Sequence, residues 1–87
     1  MTEIKVFVQP KCSKCPLAKE MTKRVARELG LEYTEIDVST EEGQIEALMY
    51  NICSTPSIVV GDEVIFRGNV PENEEVLKEE IMKVLRR

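Results

Sequence analysis

Residues 9–16 read Gln-Pro-Lys-Cys-Ser-Lys-Cys-Pro and hold two thiols, Cys12 and Cys15, with two residues between them. A short apolar run ends just before this segment, and a helical pattern begins inside it. Two thiols at this spacing are typical either of dithiol redox chemistry or of a soft-metal site. The residues on both sides of the segment bear on that choice.

A strand, a helix and a second strand are predicted around the two thiols. Residues 4–8 are β-branched and aromatic and end at Pro10, which favours a mostly buried strand. Residues 13–29 predict an amphipathic helix capped by Gly30, and residues 31–38 alternate as a second strand. This βαβ succession predicts that the first two strands are parallel neighbours.

A second, short helix is predicted after residue 38. Ser39 with Glu42 three residues later forms a capping-box pattern. The helix that follows carries Ile45, Leu48 and Met49 on one face.

The remainder of the chain predicts a hairpin and a last helix. Residues 57–60 follow Pro56 as a third strand, a two-residue turn comes next, and residues 63–67 return as a fourth strand. Residues 72–85 carry an apolar helical face. The chain, residues 1–87, is therefore expected to be one α/β domain. Its order is β-α-β-α-β-β-α, with a four-stranded mixed sheet flanked by three helices.

Composition narrows the classes of function. Hydrophobic residues make up 43% and charged residues 32% of the 87 residues, as in ordinary globular proteins. The net charge of −4 argues against nucleic acid as a partner, and the absence of His excludes a His-containing zinc site or a Cys–His nucleophile pair.

The amino end and the cysteine count indicate a compartment. No leader pattern and no apolar run near the roughly 18 residues that span a membrane are present, so we expect a cytosolic protein without a membrane partner. Three Cys in a reducing compartment are not a structural disulfide framework, so the Cys-x-x-Cys pair points to catalysis or metal binding.

The position of the two thiols suggests a role for each. The thiolate is the reactive form, and a helix N-terminus and nearby cations lower the pKa of a thiol. Cys12 lies at the predicted helix start beside Lys11 and close to Lys14, so these two lysines are candidate tuning residues. Cys15 is placed to displace a partner from a mixed disulfide on Cys12. Cys12 is therefore predicted to attack and Cys15 to resolve.

With these features in place, the chain resembles the thioredoxin fold family, specifically its short, glutaredoxin-sized members. The resemblance rests on the order of elements, the Cys12-Ser13-Lys14-Cys15 motif and the Thr55-Pro56 pair before the third strand. It implies that Pro56 is cis, that its loop packs beside the dithiol, and that the Thr55 backbone binds an extended substrate peptide or glutathione. It also implies no permanently bound cofactor and no metal.

Two departures from the family leave the substrate open. Thioredoxins carry a buried Asp six residues before the first Cys, where this chain has Val6. The Gly-Gly and acidic pairs of the glutaredoxin glutathione site are replaced by Gly68-Asn69 and residues 70–73. We favour a monomeric reductase of protein disulfides that is itself reduced by a separate thioredoxin-reductase-like protein.

Three alternatives to this reading stay open. They are glutathione-dependent glutaredoxin activity, a Cys-x-x-Cys metal chaperone, and a redox-sensor module used for protein contact. Cys53, a third thiol three residues before Pro56, could contact substrate, trap Cys12 in a regulatory disulfide or join a three-thiolate metal site. The favoured reading for Cys53 is that it does not participate.

Overall fold

The elements occur in the predicted order, β-α-β-α-β-β-α, in a computed structural model that describes residues 2–86. Four strands and three helices are found over these residues: β1 (Glu3–Val8), α1 (Cys15–Leu29), β2 (Glu32–Asp37), α2 (Glu41–Met49), β3 (Ser57–Val60), β4 (Glu63–Phe66) and α3 (Glu74–Leu85). Their ends lie within two residues of the predicted ends, as is usual for boundaries read from sequence.

The sheet is mixed, with the strand order β2-β1-β3-β4. β1 pairs with β2 in parallel, which confirms the prediction from the βαβ pattern, and with β3 in antiparallel. In this register Phe7 lies opposite Ser57. The end of β1, which leads into the thiol segment, therefore lies beside the start of β3, which directly follows Pro56.

Two apolar clusters cover the two faces of the sheet. On one face Ile4 and Val6 of β1 pack in a cluster with side chains of α1 and α3. On the other face Phe7 packs with Ala47 of α2 and Val59 of β3. This alternation along β1 follows from the two-residue period of a strand, and it makes β1 the centre of the core.

The start of α1 differs from the prediction. The helix begins at Cys15, preceded by Lys14, and not at residue 13, so Cys12 lies before the helix and Cys15 is its first residue. The amide of Cys12 instead donates to the carbonyl oxygen of Gln9 in a turn, at 3.3 Å. Pro16 has no amide hydrogen, so the bond that would extend the helix back to the Cys12 carbonyl cannot form.

The N-terminal cap of α2 is also shifted by one residue from the prediction. Thr40 is the capping residue, and its hydroxyl accepts a hydrogen bond from the amide of Gly43 at 3.0 Å. Ser39 instead donates through both its amide and its hydroxyl to the Asp37 carboxylate, at 2.8 and 2.7 Å. The predicted Ser39 capping box with Glu42 is therefore wrong, because Ser39 is engaged in a turn with Asp37.

The apolar face of α2 lies in solvent. Ile45, Leu48 and Met49 are 55, 74 and 70% exposed, whereas the buried residues of the helix are Gly43 and Ala47. Gly43 lies so close to β2 that a Cβ at this position would overlap the Asp37 carbonyl. The helix approaches the sheet through its two smallest residues, and this turns the larger apolar side chains outward.

Over residues 2–86, no helix has both the length and the apolar character needed to cross a membrane.

Candidate active site

A disulfide joins the two cysteines of the Cys-x-x-Cys segment. The Cα atoms of Cys12 and Cys15 are 5.4 Å apart, within the range that a disulfide bond requires. Cys15 is only 3% exposed because it begins α1 and packs into the core, whereas Cys12 is partly buried on the loop before the helix. Of the two cysteines, Cys12 is therefore the one that a partner protein in solution can reach.

The loop before β3 has the conformation that the resemblance implied. The Thr55-Pro56 peptide bond is cis, as predicted, and Pro56 is fully buried. The buried Ser57 hydroxyl donates to the carbonyl oxygen of Ser54 at 2.7 Å and accepts from the amide of Gly68 at 3.0 Å. The cis-proline loop, residues 53–56, is thus tied to the segment that follows β4.

A second contact holds the turn between α2 and this loop. Arg67 donates through Nη1 to the carbonyl oxygens of Tyr50 and Asn51, at 2.9 and 2.7 Å. Tyr50 is the C-terminal capping residue of α2 and Asn51 follows it, at the end where a helix leaves acceptors without partners. Asn51 has a φ of 55°, a left-handed conformation that Asn tolerates better than most residues.

The thiol segment and the cis-proline loop share the walls of two surface depressions. The first, which we call the proline groove, has a volume of about 120 Å³ and is lined by Ser13, Lys14, Leu17, Pro56, Val70 and Glu72 among others. The second, of about 250 Å³, includes Gln9, Leu48, Cys53 and Thr55. The cis-proline loop therefore lies beside residues of the segment that carries the two thiols.

Thr55 has a further feature that the sequence did not indicate. Its hydroxyl oxygen is buried, and among the described residues it has no hydrogen-bond partner. Buried polar atoms are usually paired, so an unpaired one beside a surface depression marks a place where a bound group could supply the partner.

The two candidate tuning lysines lie at different places. Lys11 and Lys14 are both exposed, and Lys14 lines the proline groove. Neither lines the cavity of about 210 Å³ that has both cysteines in its wall. We call this the dithiol cavity; the charged residues in its wall are Lys19, Glu35 and Asp37.

Sequence reasoning did not select these three charged residues. Lys19 could have been found, because it lies four residues after Cys15 and therefore on the same face of the helix. Glu35 and Asp37 reach the cavity through the β1–β2 register, which places them beside Val6 and Val8. That register follows from tertiary packing and has no local signal.

Two titratable groups of β2 have shifted pKa values. The pKa of Asp37 is lowered, because its carboxylate accepts hydrogen bonds from the hydroxyl and the amide of Ser39. The pKa of Tyr33 is raised by burial and by the nearby negative charge of Glu35, to which the Tyr33 hydroxyl donates at 3.3 Å.

The third thiol stands apart from the disulfide. Cys53 is free and exposed, and it shares its depression with Gln9 and Thr55. No group of three or more His, Cys, Asp or Glu arranged for a metal ion occurs within residues 2–86. The three-thiolate site considered for Cys53 is accordingly not formed in this part of the chain.

Comparison with known proteins gives consistent results. A family model described as a thioredoxin domain matches residues 2–82. The chain is 36% identical over 74 residues to a probable thioredoxin of Archaeoglobus fulgidus, covering 85% of this chain and 81% of the relative. It is 33% identical over 84 residues to a thioredoxin of Methanocaldococcus jannaschii, covering 95% of each.

Solved structures agree with the sequence relatives. The thioredoxin-like protein BC3987 superposes with a TM-score of 0.60 at 28% identity, covering 90% of this chain and 99% of that protein. Thioredoxin 1 of Thermosipho africanus gives 0.75 at 20% identity, covering 97 and 94%, which supports the fold. Because the family match spans nearly the whole chain and includes its Cys-x-x-Cys pair, the chain belongs to the thioredoxin family and is a thiol-disulfide oxidoreductase.

Proposed function

We propose that this chain reduces disulfide bonds of other proteins, with Cys12 as the attacking thiol and Cys15 as the resolving thiol. The observation that carries the proposal is the unequal exposure of the two linked cysteines. A substrate sulfur can approach the partly exposed Cys12, whereas Cys15, at 3% exposure, is reached most readily by the sulfur three residues away.

The reaction proceeds in two exchanges. The Cys12 thiolate attacks one sulfur of the substrate disulfide, which forms a mixed disulfide and releases the other substrate sulfur as a thiolate that takes up a proton. Cys15 then loses its proton, and its sulfur attacks the Cys12 sulfur, which releases the second substrate thiol. Two electrons pass to the substrate, and the Cys12–Cys15 disulfide remains.

The chain must then be reduced again from outside. We propose that the chain needs no bound cofactor and receives its electrons from a separate disulfide reductase of the thioredoxin-reductase kind. A reducing location is required for this cycle, and we propose the cytosol and a monomeric protein.

The walls of the proline groove favour a peptide over glutathione. Leu17 and Val70 offer apolar surface, and the charged groups in the wall are one ammonium, on Lys14, and one carboxylate, on Glu72. Glutathione carries two carboxylates, so the groove offers it no excess of positive charge. We propose that an extended substrate segment lies along this groove in contact with Pro56 and also contacts Thr55, which lines the second depression.

A turnover assay distinguishes the two substrate classes. Reduction of a disulfide-containing protein, with dithiothreitol as electron donor, is compared with reduction of a glutathione mixed disulfide, with glutathione as donor. We expect the protein disulfide to be reduced at least about tenfold faster, a difference of roughly 1.4 kcal/mol in activation free energy.

The Cys53→Ser variant is the control for the third thiol and is expected to keep the rates of the unmodified chain. A faster reaction with the glutathione substrate would replace this proposal with a glutaredoxin activity. No reaction with either substrate would contradict both readings.

A further inference from the structure

Lys19 and Glu35 lie together in the wall of the dithiol cavity. The ammonium nitrogen of Lys19 and Oε2 of Glu35 are 3.6 Å apart, and each side chain is 39% exposed. Lys19 follows Cys15 by one helical turn, while Glu35 is contributed by β2. The pair therefore joins the helix that carries the buried thiol to the edge strand of the sheet.

Few other charged side chains lie in the wall of the cavity that contains the buried thiol. The strand next to β2 contributes apolar side chains, Val6 and Val8, which are both buried. Asp37 also lines the dithiol cavity; its Oδ1 accepts two hydrogen bonds from Ser39, which favour the ionised carboxylate, so Asp37 contributes a constant negative charge. Lys19 is the positive group that the cavity wall provides among the described residues.

We propose that Lys19 and Glu35 act as a matched pair of positioning charges that set how readily Cys15 ionises in the resolving step. This inference rests on the proposed function, in which Cys15 must lose a proton before its sulfur attacks Cys12. A positive charge beside a thiol favours the thiolate, and a negative charge disfavours it. The two members of the pair therefore act on Cys15 in opposite directions, and the balance between them sets its ionisation.

Room for the proton to leave is also present. The dithiol cavity, at about 210 Å³, is well above the roughly 15 Å³ that one water needs, so water can reach the thiol from the side of the charge pair. The proton of Cys15 passes to this water and then to solvent. The electron pair left on sulfur forms the bond to the Cys12 sulfur while the substrate sulfur departs.

Other charges near the pair must be held constant in any test. The charged or titratable groups near the pair are Lys11 and Lys14 before α1, Glu20 and Lys23 of α1, and Tyr33 and Asp37 of β2. Glu35 and Asp37 also line a second cavity, of about 520 Å³, together with Glu3, Lys5, Glu42 and Glu46. The double variant described below keeps this background unchanged.

The opposite charges of Lys19 and Glu35 predict opposite shifts in the titration of Cys15, which can be measured. In a Cys12→Ser, Cys53→Ala chain, Cys15 is the one remaining thiol, and its ionisation can be followed by the far-ultraviolet absorbance of the thiolate as pH is raised. We expect Lys19→Met to move the titration to higher pH and Glu35→Gln to move it to lower pH. Each change should alter the thiolate fraction at a given pH by about threefold to tenfold.

Four matched variants identify the cause. Lys19→Arg retains the charge and should titrate like the parent, and the Lys19→Met, Glu35→Gln double variant should titrate between the two single variants. Arg27→Met and Glu32→Gln remove exposed charges from the same two elements, outside the dithiol cavity, and should have no comparable effect. Thermal unfolding of each variant checks that it is folded.

The inference would be overturned if Lys19→Met and Glu35→Gln moved the Cys15 titration in the same direction, or if neither moved it. A merely structural ion pair predicts the same direction of shift for both variants. The titration does not require turnover. A chain that fails to reduce protein disulfides but shows the opposite shifts would contradict the proposed function alone. A chain that turns over but lacks the shifts would contradict this inference alone.

Discussion

Replacing Cys12 with serine is expected to abolish disulfide reduction, with a loss in rate of about three orders of magnitude or more. A serine hydroxyl is not ionised near neutral pH and is a far weaker nucleophile toward sulfur than a thiolate. Cys15, at 3% exposure, cannot take over the first attack. The measurement is turnover of a protein disulfide with dithiothreitol as donor.

The Cys15→Ser variant should behave differently from Cys12→Ser. Its first exchange is intact, so it should accumulate a covalent adduct in which Cys12 is linked to a substrate cysteine, visible by mass spectrometry under non-reducing conditions. The Cys53→Ser chain serves as the control and should form no lasting adduct. An adduct on Cys15 in the Cys12→Ser chain would reverse the assignment of attacking and resolving thiols.

Gly43→Ala is expected to lower the free energy of unfolding by about 2 kcal/mol, measured by urea denaturation. Helix propensity alone predicts the opposite, since Ala is favoured over Gly inside a helix by roughly 0.5–1 kcal/mol. The sign reverses because an added Cβ at Gly43 would overlap the carbonyl of Asp37 and approach the Thr40 hydroxyl. To relieve the overlap, α2 would have to move away from the sheet.

Gln44→Ala is the matched control for this prediction. Gln44 is the next residue of the same helix and is exposed, so its replacement should change the free energy of unfolding by less than about 0.5 kcal/mol. An unchanged or increased stability of Gly43→Ala would show that α2 does not approach β2 as closely as described.

The features that the sequence predicted correctly have strong local signals. The alternation of residues 4–8, the apolar spacing of residues 13–29 and the glycine at position 30 depend on strand and helix periods, which hold wherever the element lies. The cis bond at Thr55-Pro56 came from the resemblance to a family and not from a local pattern. This cis bond nevertheless identifies residues 53–56 as the loop beside the thiol segment.

The errors occur where tertiary contact overrides a local pattern. Ile45, Leu48 and Met49 have helical spacing, but the close approach at Gly43 decides which face of α2 is buried. The apolar spacing of residues 13–29 gives no exact start for α1, whereas the missing amide hydrogen of Pro16 limits how far the helix extends toward Cys12.

The charge environment of the dithiol shows the same limit. Lys11 and Lys14 were selected because they are neighbours of the thiols in sequence, and their role in lowering the pKa of Cys12 stays a prediction. The charges in the wall of the dithiol cavity are contributed by Lys19, one turn along α1, and by β2. The contribution of β2 depends on the parallel pairing of two strands that lie about thirty residues apart, which no local pattern encodes.

The most direct test of the central claim is a redox titration of the purified chain in dithiothreitol buffers. Free thiols are trapped by alkylation, and the disulfide is located by mass spectrometry. We predict a reversible two-electron Cys12–Cys15 couple with a midpoint near or below the cytosolic poise of roughly −220 to −320 mV, and Cys53 free throughout. If no Cys12–Cys15 disulfide forms across the titration, or if the reversible bond involves Cys53, the assignment of this pair as the redox centre is contradicted.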